Sequence, residues 1–311
     1  MRVLVYGAGG VGGYFAGRLA EAGVKVTLVA RGPHGEAIRK NGLEVRSPAG
    51  DLRVMLPVVG HPRDAEPADV VILGVKAFQV REAAGALAGL LLGEAFVLPL
   101  QNGVDAASEL AAELGPAHVV PGLCRISSFV EAPGIIRHAA VDPAVELGER
   151  DGRSSLRVEA LAATLSRAKG VSATVRADIE AALWEKFLFI APASGVTALT
   201  RRPIGVVREL AECRAAMDAA LHETIAVALA QGIHLPKDVA ARTWSLWDGL
   251  PSAAVPSMAR DISLGRPSEL DYQTGAVVRL GREKGVPTPV NSLLYACLLP
   301  SERDARKPPT A

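Results

Sequence analysis

Cysteine is scarce in this 311-residue chain: Cys124, Cys213 and Cys297 stand far apart and odd in number. Such a set fits neither a disulfide framework nor zinc-ligand spacing, so no metal is expected, and a reducing, cytoplasmic location is. A dominant charge is missing too. The 34 Lys plus Arg against 33 Asp plus Glu leave a net charge of +1, which offers no electrostatic footprint for nucleic acid or an anionic membrane. No run reads as a membrane span, because the most apolar segment, residues 83–100, holds three glycines, Glu94 and Pro99. The first residues carry an early Arg2 and an apolar stretch in the manner of a secretory signal. Gly7, Gly9, Gly10, Gly12 and Gly13 would break the apolar helix that such a signal needs, whereas they suit a strand-to-helix turn.

What is present is the composition of a globular protein, 49% hydrophobic and 22% charged. At roughly 150 residues per domain the length corresponds to about two domains. The first half alternates β-rich runs with helix-like stretches, the signature of an α/β domain with a parallel sheet covered by helices. Strands are expected at 2–6, 25–30, 70–75 and 95–100, with 119–121 continuing the sheet, and helices at 12–22 and 80–91. Residues 123–130 and 135–140 flank the turn Ala132-Pro133-Gly134 and read as a β-hairpin. A short strand at 145–147, a helix at 155–168 and a strand at 171–175 follow. From Asp178, a plausible N-cap, nearly every segment has helical period, with Pro192 expected to kink or break the first helix. Further helices are expected at 210–230, 236–247, 255–264 and 270–284, and residues 307–311 should fray. The reading is therefore a domain over 1–176 and an all-α domain over 177–311.

The strongest local motif is Gly7-Ala8-Gly9-Gly10-Val11-Gly12, a G-x-G-x-x-G that follows a strand and opens a helix. Its first glycine permits the tight turn, the second lets the backbone approach a diphosphate, and the third lets helix and strand pack closely. At the end of the second strand, where an NAD site would place a carboxylate, the chain reads Ala30-Arg31-Gly32. A guanidinium there can pair with a 2′-phosphate, which favours NADPH over NADH. Lys76 and Asn102 sit just past strand ends, where ligands of open α/β sheets bind.

Taken together, VYGAGGVGG, ARG, GVKAFQ, LQNGVD, GLCRISSFVEAPGIIRH, LWEKFLF, VPSMARDI and SELDYQTGAVV resemble, in order and over nearly the whole chain, the ketopantoate reductase (2-dehydropantoate 2-reductase) family. The resemblance implies an N-terminal Rossmann-type dinucleotide-binding domain followed by an all-α C-terminal domain for substrate and dimerisation. Its activity would be NADPH-dependent reduction of 2-dehydropantoate to (R)-pantoate, on the route to pantothenate. Lys186 matches the family's catalytic lysine: hydride arriving at a 2-oxo carbon leaves negative charge on oxygen, which an ammonium stabilises and then protonates. Asn102 matches the asparagine that helps hold that oxygen, and Lys76 the lysine beside nicotinamide and substrate. Ser257 matches the serine that meets the substrate carboxylate, and Glu269 the acid that binds substrate and positions the lysine. One departure stands out. Four and eight residues after the lysine, on the same helical face, the family commonly carries asparagines for the substrate's distal hydroxyl, and here stand Ile190 and Ser194. Ile190 cannot hydrogen-bond, so a more apolar 2-oxo acid or other carbonyl is the alternative substrate. A non-catalytic NADPH-binding redox sensor is the alternative of another class. Helical C-terminal domains of this kind often pair, so a homodimer is the assembly to test.

Overall fold

In a computed structural model, residues 1–307 are described; residues 308–311, most of the tail expected to fray, lie outside the described residues. Contacts divide the described residues into two units, Met1–Gln101 with Asp105–Ile179, and Asn102–Val104 with the described residues from Glu180 onward.

The first unit runs β1 (Arg2–Tyr6), α1 (Gly10–Glu21), β2 (Lys25–Val29), α2 (Gly32–Asn41), β3 (Leu43–Arg46), β4 (Leu52–Val54), β5 (Val58–Val59), β6 (Val70–Leu73), α3 (Val80–Leu87), β7 (Phe96–Pro99), α4 (Ala106–Leu114), β8 (Gly122–Ala132), β9 (Ile135–Leu147), α5 (Leu156–Ser166) and β10 (Ser172–Val175). One sheet has the order β5-β2-β1-β6-β7, parallel at every pairing. Its strands are apolar on both faces, and side chains alternate between them. Val3, Val5, Val70, Ile72, Phe96 and Leu98 enter one buried cluster, while Leu4, Tyr6, Val71, Leu73 and Val97 enter the other. The sheet is thereby covered on both sides, as its unbroken Val/Ile/Leu runs require.

A second sheet, β10-β9-β3-β4 with β8 paired to β9, completes this unit. The expected hairpin is there but longer: Ala132 pairs with Ile135 across Pro133-Gly134, where Gly134 has φ +82°. The separate strand expected at 145–147 is the far end of β9, which irregularities in register let run on as one strand. Residues 119–121 extend the parallel sheet only by the bridge Val97–Val119.

The second unit is helical: α6 (Ile179–Thr200), α7 (Ile204–Glu209), α8 (Ala211–Ala230), α9 (Val239–Asp248), α10 (Ser257–Ser263), α11 (Thr274–Lys284) and α12 (Pro289–Ala305). Pro192 lies inside α6 without ending it. The helix expected over 270–284 is split into a 3-10 turn at Leu270–Tyr272 and α11, because Gln273 at ψ −94° leaves the helical region. Among the described residues no helix is long and apolar enough to cross a membrane.

Candidate active site

The glycine turn sits at the carboxyl end of β1, the central strand, with β2 on one side and β6 on the other. This is where the strand order reverses and where open α/β sheets bind ligands. Each glycine has a separate reason. Gly7 has φ +103°, and a Cβ on it would strike Val75 N at 2.7 Å; a Cβ on Gly12 would lie 1.9 Å from Gly7 O. Those two close the turn against β6 and the helix. Gly9 differs, since a Cβ there would meet nothing nearer than Gly74 O at 4.0 Å, so its surroundings are open. Gly9 is also the N-cap of α1, with no side-chain cap and no acidic residue in the first turn. An uncapped helix N-terminus offers N–H groups to an anion. Ala8 precedes the cap, and Gly10 and Val11 open α1.

Arg31 ends the strand-to-helix turn after β2 as the N-cap of α2. Its guanidinium lies 3.7 Å from the Glu82 carboxylate, with both side chains 64% exposed. Tyr6 shares this corner: burial raises its pKa, the Arg31 charge opposes that rise and the Glu82 charge adds to it. Lys76 is half-buried after β6, its backbone N–H donating to Gln79 Oε1 at 3.2 Å. Gln101 donates to the carbonyls of Leu73 and Val75 at 2.8 and 3.0 Å, tying the end of β7 to that of β6.

In the helical unit, Lys186 on α6 is buried at 7% exposure, Ser194 is buried on the same helix, and Ile190 is half-buried between them. The spacing of four places all three on one face. Ile190 packs onto an apolar cluster that includes Trp184, Phe187, Ala228 and Val277. Asn102 Nδ2 donates to Glu269 Oε2 at 3.3 Å, joining residues 167 positions apart. Glu269 is buried at 4% exposure, just before the 3-10 turn. Ser257 is not brought into this pair: it stands exposed at the start of α10. Its neighbours Met258, Ala259 and Ile262 nevertheless pack with Leu270, the residue after Glu269.

Several supporting residues escape a reading of the sequence. Glu302, buried on α12, accepts from Ser268 N at 3.0 and 3.1 Å, from Ser268 Oγ, and from Arg306 Nε at 2.7 Å. Satisfying both carboxylate oxygens in this way fixes the backbone next to Glu269. Glu82 and His34 leave as little trace in the sequence; the signal for His34 is its place three residues after Arg31. A cavity of about 690 Å³ elsewhere in the first unit is lined by Arg150, Arg153 and Arg157. Those guanidinium groups are already engaged by Ser108, Asp151 and Glu149, so it adds nothing to the site. Among the described residues no cluster of His, Cys, Asp and Glu could hold a metal ion.

A parallel sheet with a glycine turn at its switch point, continued by an all-α unit, defines a Rossmann-like dinucleotide-binding build. Residues 3–152 match the family Ketopantoate reductase PanE/ApbA, and residues 178–302 match Ketopantoate reductase PanE/ApbA C terminal. The chain is 31% identical to the 2-dehydropantoate 2-reductase of Halobacterium salinarum, over 98% of this chain and 100% of the relative. It is similar in structure to a PanE/ApbA family ketopantoate reductase from Ralstonia eutropha, with TM-score 0.91 and 31% identity, over 99% of this chain and 100% of that one. D-mandelate dehydrogenase, in a ternary structure with NADH and anilino(oxo)acetate, shares the fold at TM-score 0.90 and 23% identity, over 99% of this chain and 100% of that one. The chain belongs to the ketopantoate reductase family and is an oxidoreductase.

Proposed function

We propose that the protein reduces a 2-oxo acid with NADPH, and that 2-dehydropantoate, reduced to (R)-pantoate for pantothenate synthesis, is the substrate its family favours. The observation that carries this reading is the Asn102–Glu269 hydrogen bond within the same helical unit as the buried Lys186. A buried ammonium can stabilise and protonate the oxygen formed when a carbonyl is reduced, and an amide oriented by a carboxylate can donate to that oxygen.

The glycine turn fits a dinucleotide. The open surroundings of Gly9 and the uncapped start of α1 suit a diphosphate, and Arg31 suits a 2′-phosphate. When bound, NADPH supplies the hydride. Residues 1–176, apart from Asn102–Val104, which group with the helical unit, are accordingly the cofactor domain, with Lys76 assigned to the nicotinamide end and Asn102 to both nicotinamide and substrate. Residues 177–311 are the substrate domain and the surface through which two copies would pair. Lys186 holds the proton that the product oxygen takes, and its charge stabilises that oxygen beforehand. An asparagine amide has two N–H donors, so Asn102 can keep one on Glu269 and give the other to the substrate oxygen. Ser257 receives the substrate carboxylate. The protein works in the cytoplasm, where NADPH is supplied.

A second reading keeps this chemistry and changes the substrate. Ile190 packs onto the apolar cluster that includes Phe187, Ala191 and Val277, surroundings that favour an acid without a hydroxyl at that end. The test is NADPH oxidation across a panel of 2-oxo acids that includes 2-dehydropantoate and its deoxy analogue. Turnover of at least one is expected. NADPH binding without oxidation by any of them would contradict the reductase reading and leave the redox sensor.

A further inference from the structure

His34 is engaged at both ring nitrogens. The Gly134 backbone N–H lies 2.9 Å from Nδ1, and Nε2 lies 2.9 Å from the Ala8 carbonyl oxygen. A backbone N–H can only donate, so Nδ1 must accept; the ring proton is then on Nε2, which donates to Ala8. Neither bond leaves the tautomer free, and burial holds the pKa of the ring below its ordinary value, toward the neutral form.

Both ends of this bridge matter. Gly134, at the tip of the β8–β9 turn, is itself held, because its carbonyl accepts from Glu44 N at 3.0 Å. It gives His34 a fixed footing. At the other end, Ala8 and Gly9 are joined by a trans peptide, whose planarity makes the Gly9 N–H point opposite to the Ala8 C=O. Whatever holds the Ala8 carbonyl therefore sets the direction of the Gly9 N–H, at the one glycine of the turn with open surroundings.

We propose that His34 is a positioning residue for the dinucleotide diphosphate: by holding the Ala8 carbonyl it presents the Gly9 N–H to the anion. The proposal rests on the reading of Gly7–Gly12 as the cofactor turn. His34 touches neither the cofactor's reacting end nor the substrate, so it acts on cofactor affinity and leaves the hydride step alone.

The test is direct titration of NADPH, without substrate, against the wild-type protein and the variants His34→Ala, His34→Gln and His34→Asn, with kcat at saturating NADPH measured alongside. His34→Ala should weaken binding roughly three- to tenfold, the size of one lost hydrogen bond, with kcat unchanged. The Gln amide can reach the Ala8 carbonyl and should recover most of the affinity. The shorter Asn can accept from Gly134 but not reach Ala8, and should stay weak. Equal affinity of wild type and His34→Ala, or of the Gln and Asn variants, would overturn the proposal alone. A wild-type protein that binds no NADPH would overturn the cofactor reading and the His34 proposal with it.

Discussion

The Asn102 amide donates to the Glu269 carboxylate at 3.3 Å within the helical unit, although one residue follows a strand of the sheet and the other precedes a helical turn. Groups so joined should act on substrate as a unit. Asn102→Ala and Glu269→Ala should each lower kcat/KM, and the double variant should lose less than the two losses added, with a coupling of about 0.5–3 kcal/mol. Strictly additive losses would separate the two residues.

Arg31 and Glu82 lie 3.7 Å apart and are equally exposed, so a 2′-phosphate would compete with a carboxylate already in place. Arg31→Ala should raise the KM for NADPH by the equivalent of about 1.5–3 kcal/mol and leave NADH nearly unchanged. Glu82→Gln should lower the KM for NADPH by freeing the guanidinium. An equal loss for both cofactors in Arg31→Ala would show that Arg31 does not read the phosphate.

Ile190 offers no hydrogen bond on the face it shares with Lys186. A substrate hydroxyl buried against it would lose its water partners and gain none, at a cost of about 1–3 kcal/mol. Ile190→Asn, alone or with Ser194→Asn, should therefore raise kcat/KM for 2-dehydropantoate relative to its deoxy analogue. A wild-type protein that already prefers 2-dehydropantoate to that analogue would mean that the hydroxyl is held elsewhere.

His34 carries a pH signature. Burial keeps its folded-state pKa below the ordinary 6.5, so on acidification the unfolded chain takes up this proton first. The stability His34 contributes is thus fully present above pH 6.5 and is lost as pH falls toward the folded-state value. Thermal unfolding of wild type and His34→Gln from about pH 8 to about pH 5 should show a steeper loss in the wild type. Parallel curves would contradict this assignment.

Much of this was legible in the residues, and the exceptions have physical causes. The glycine turn could be read because only glycine tolerates the φ of Gly7 and the approach at Gly12, and the β1, β6 and β7 runs because both sheet faces are buried. Residues 33–59 carry little legible pattern: α2 is short and polar, and β3, β4 and β5 span four residues or fewer, too short for a period to emerge. Helix α12 is long enough to show a period, but Pro300 interrupts its pattern. At the candidate site, Lys186 is singled out by resemblance and Asn102 by its place past a strand end as well as by resemblance, but Glu302 and His34 hold backbone groups far away in sequence, Ser268 and Ala8. A partner that is a main-chain atom leaves no mark in side-chain pattern. The Asn102–Glu269 bond likewise needed the fold to become visible.

The central assignment, Lys186 as the group that protonates the product oxygen, is tested most directly by kcat of Lys186→Ala with the best 2-oxo acid of the panel at saturating NADPH. The expected result is a fall of about 10² to 10⁴, the usual contribution of a general acid, with NADPH affinity by titration unchanged. A variant that keeps near-normal kcat with every acid the wild type turns over would contradict it.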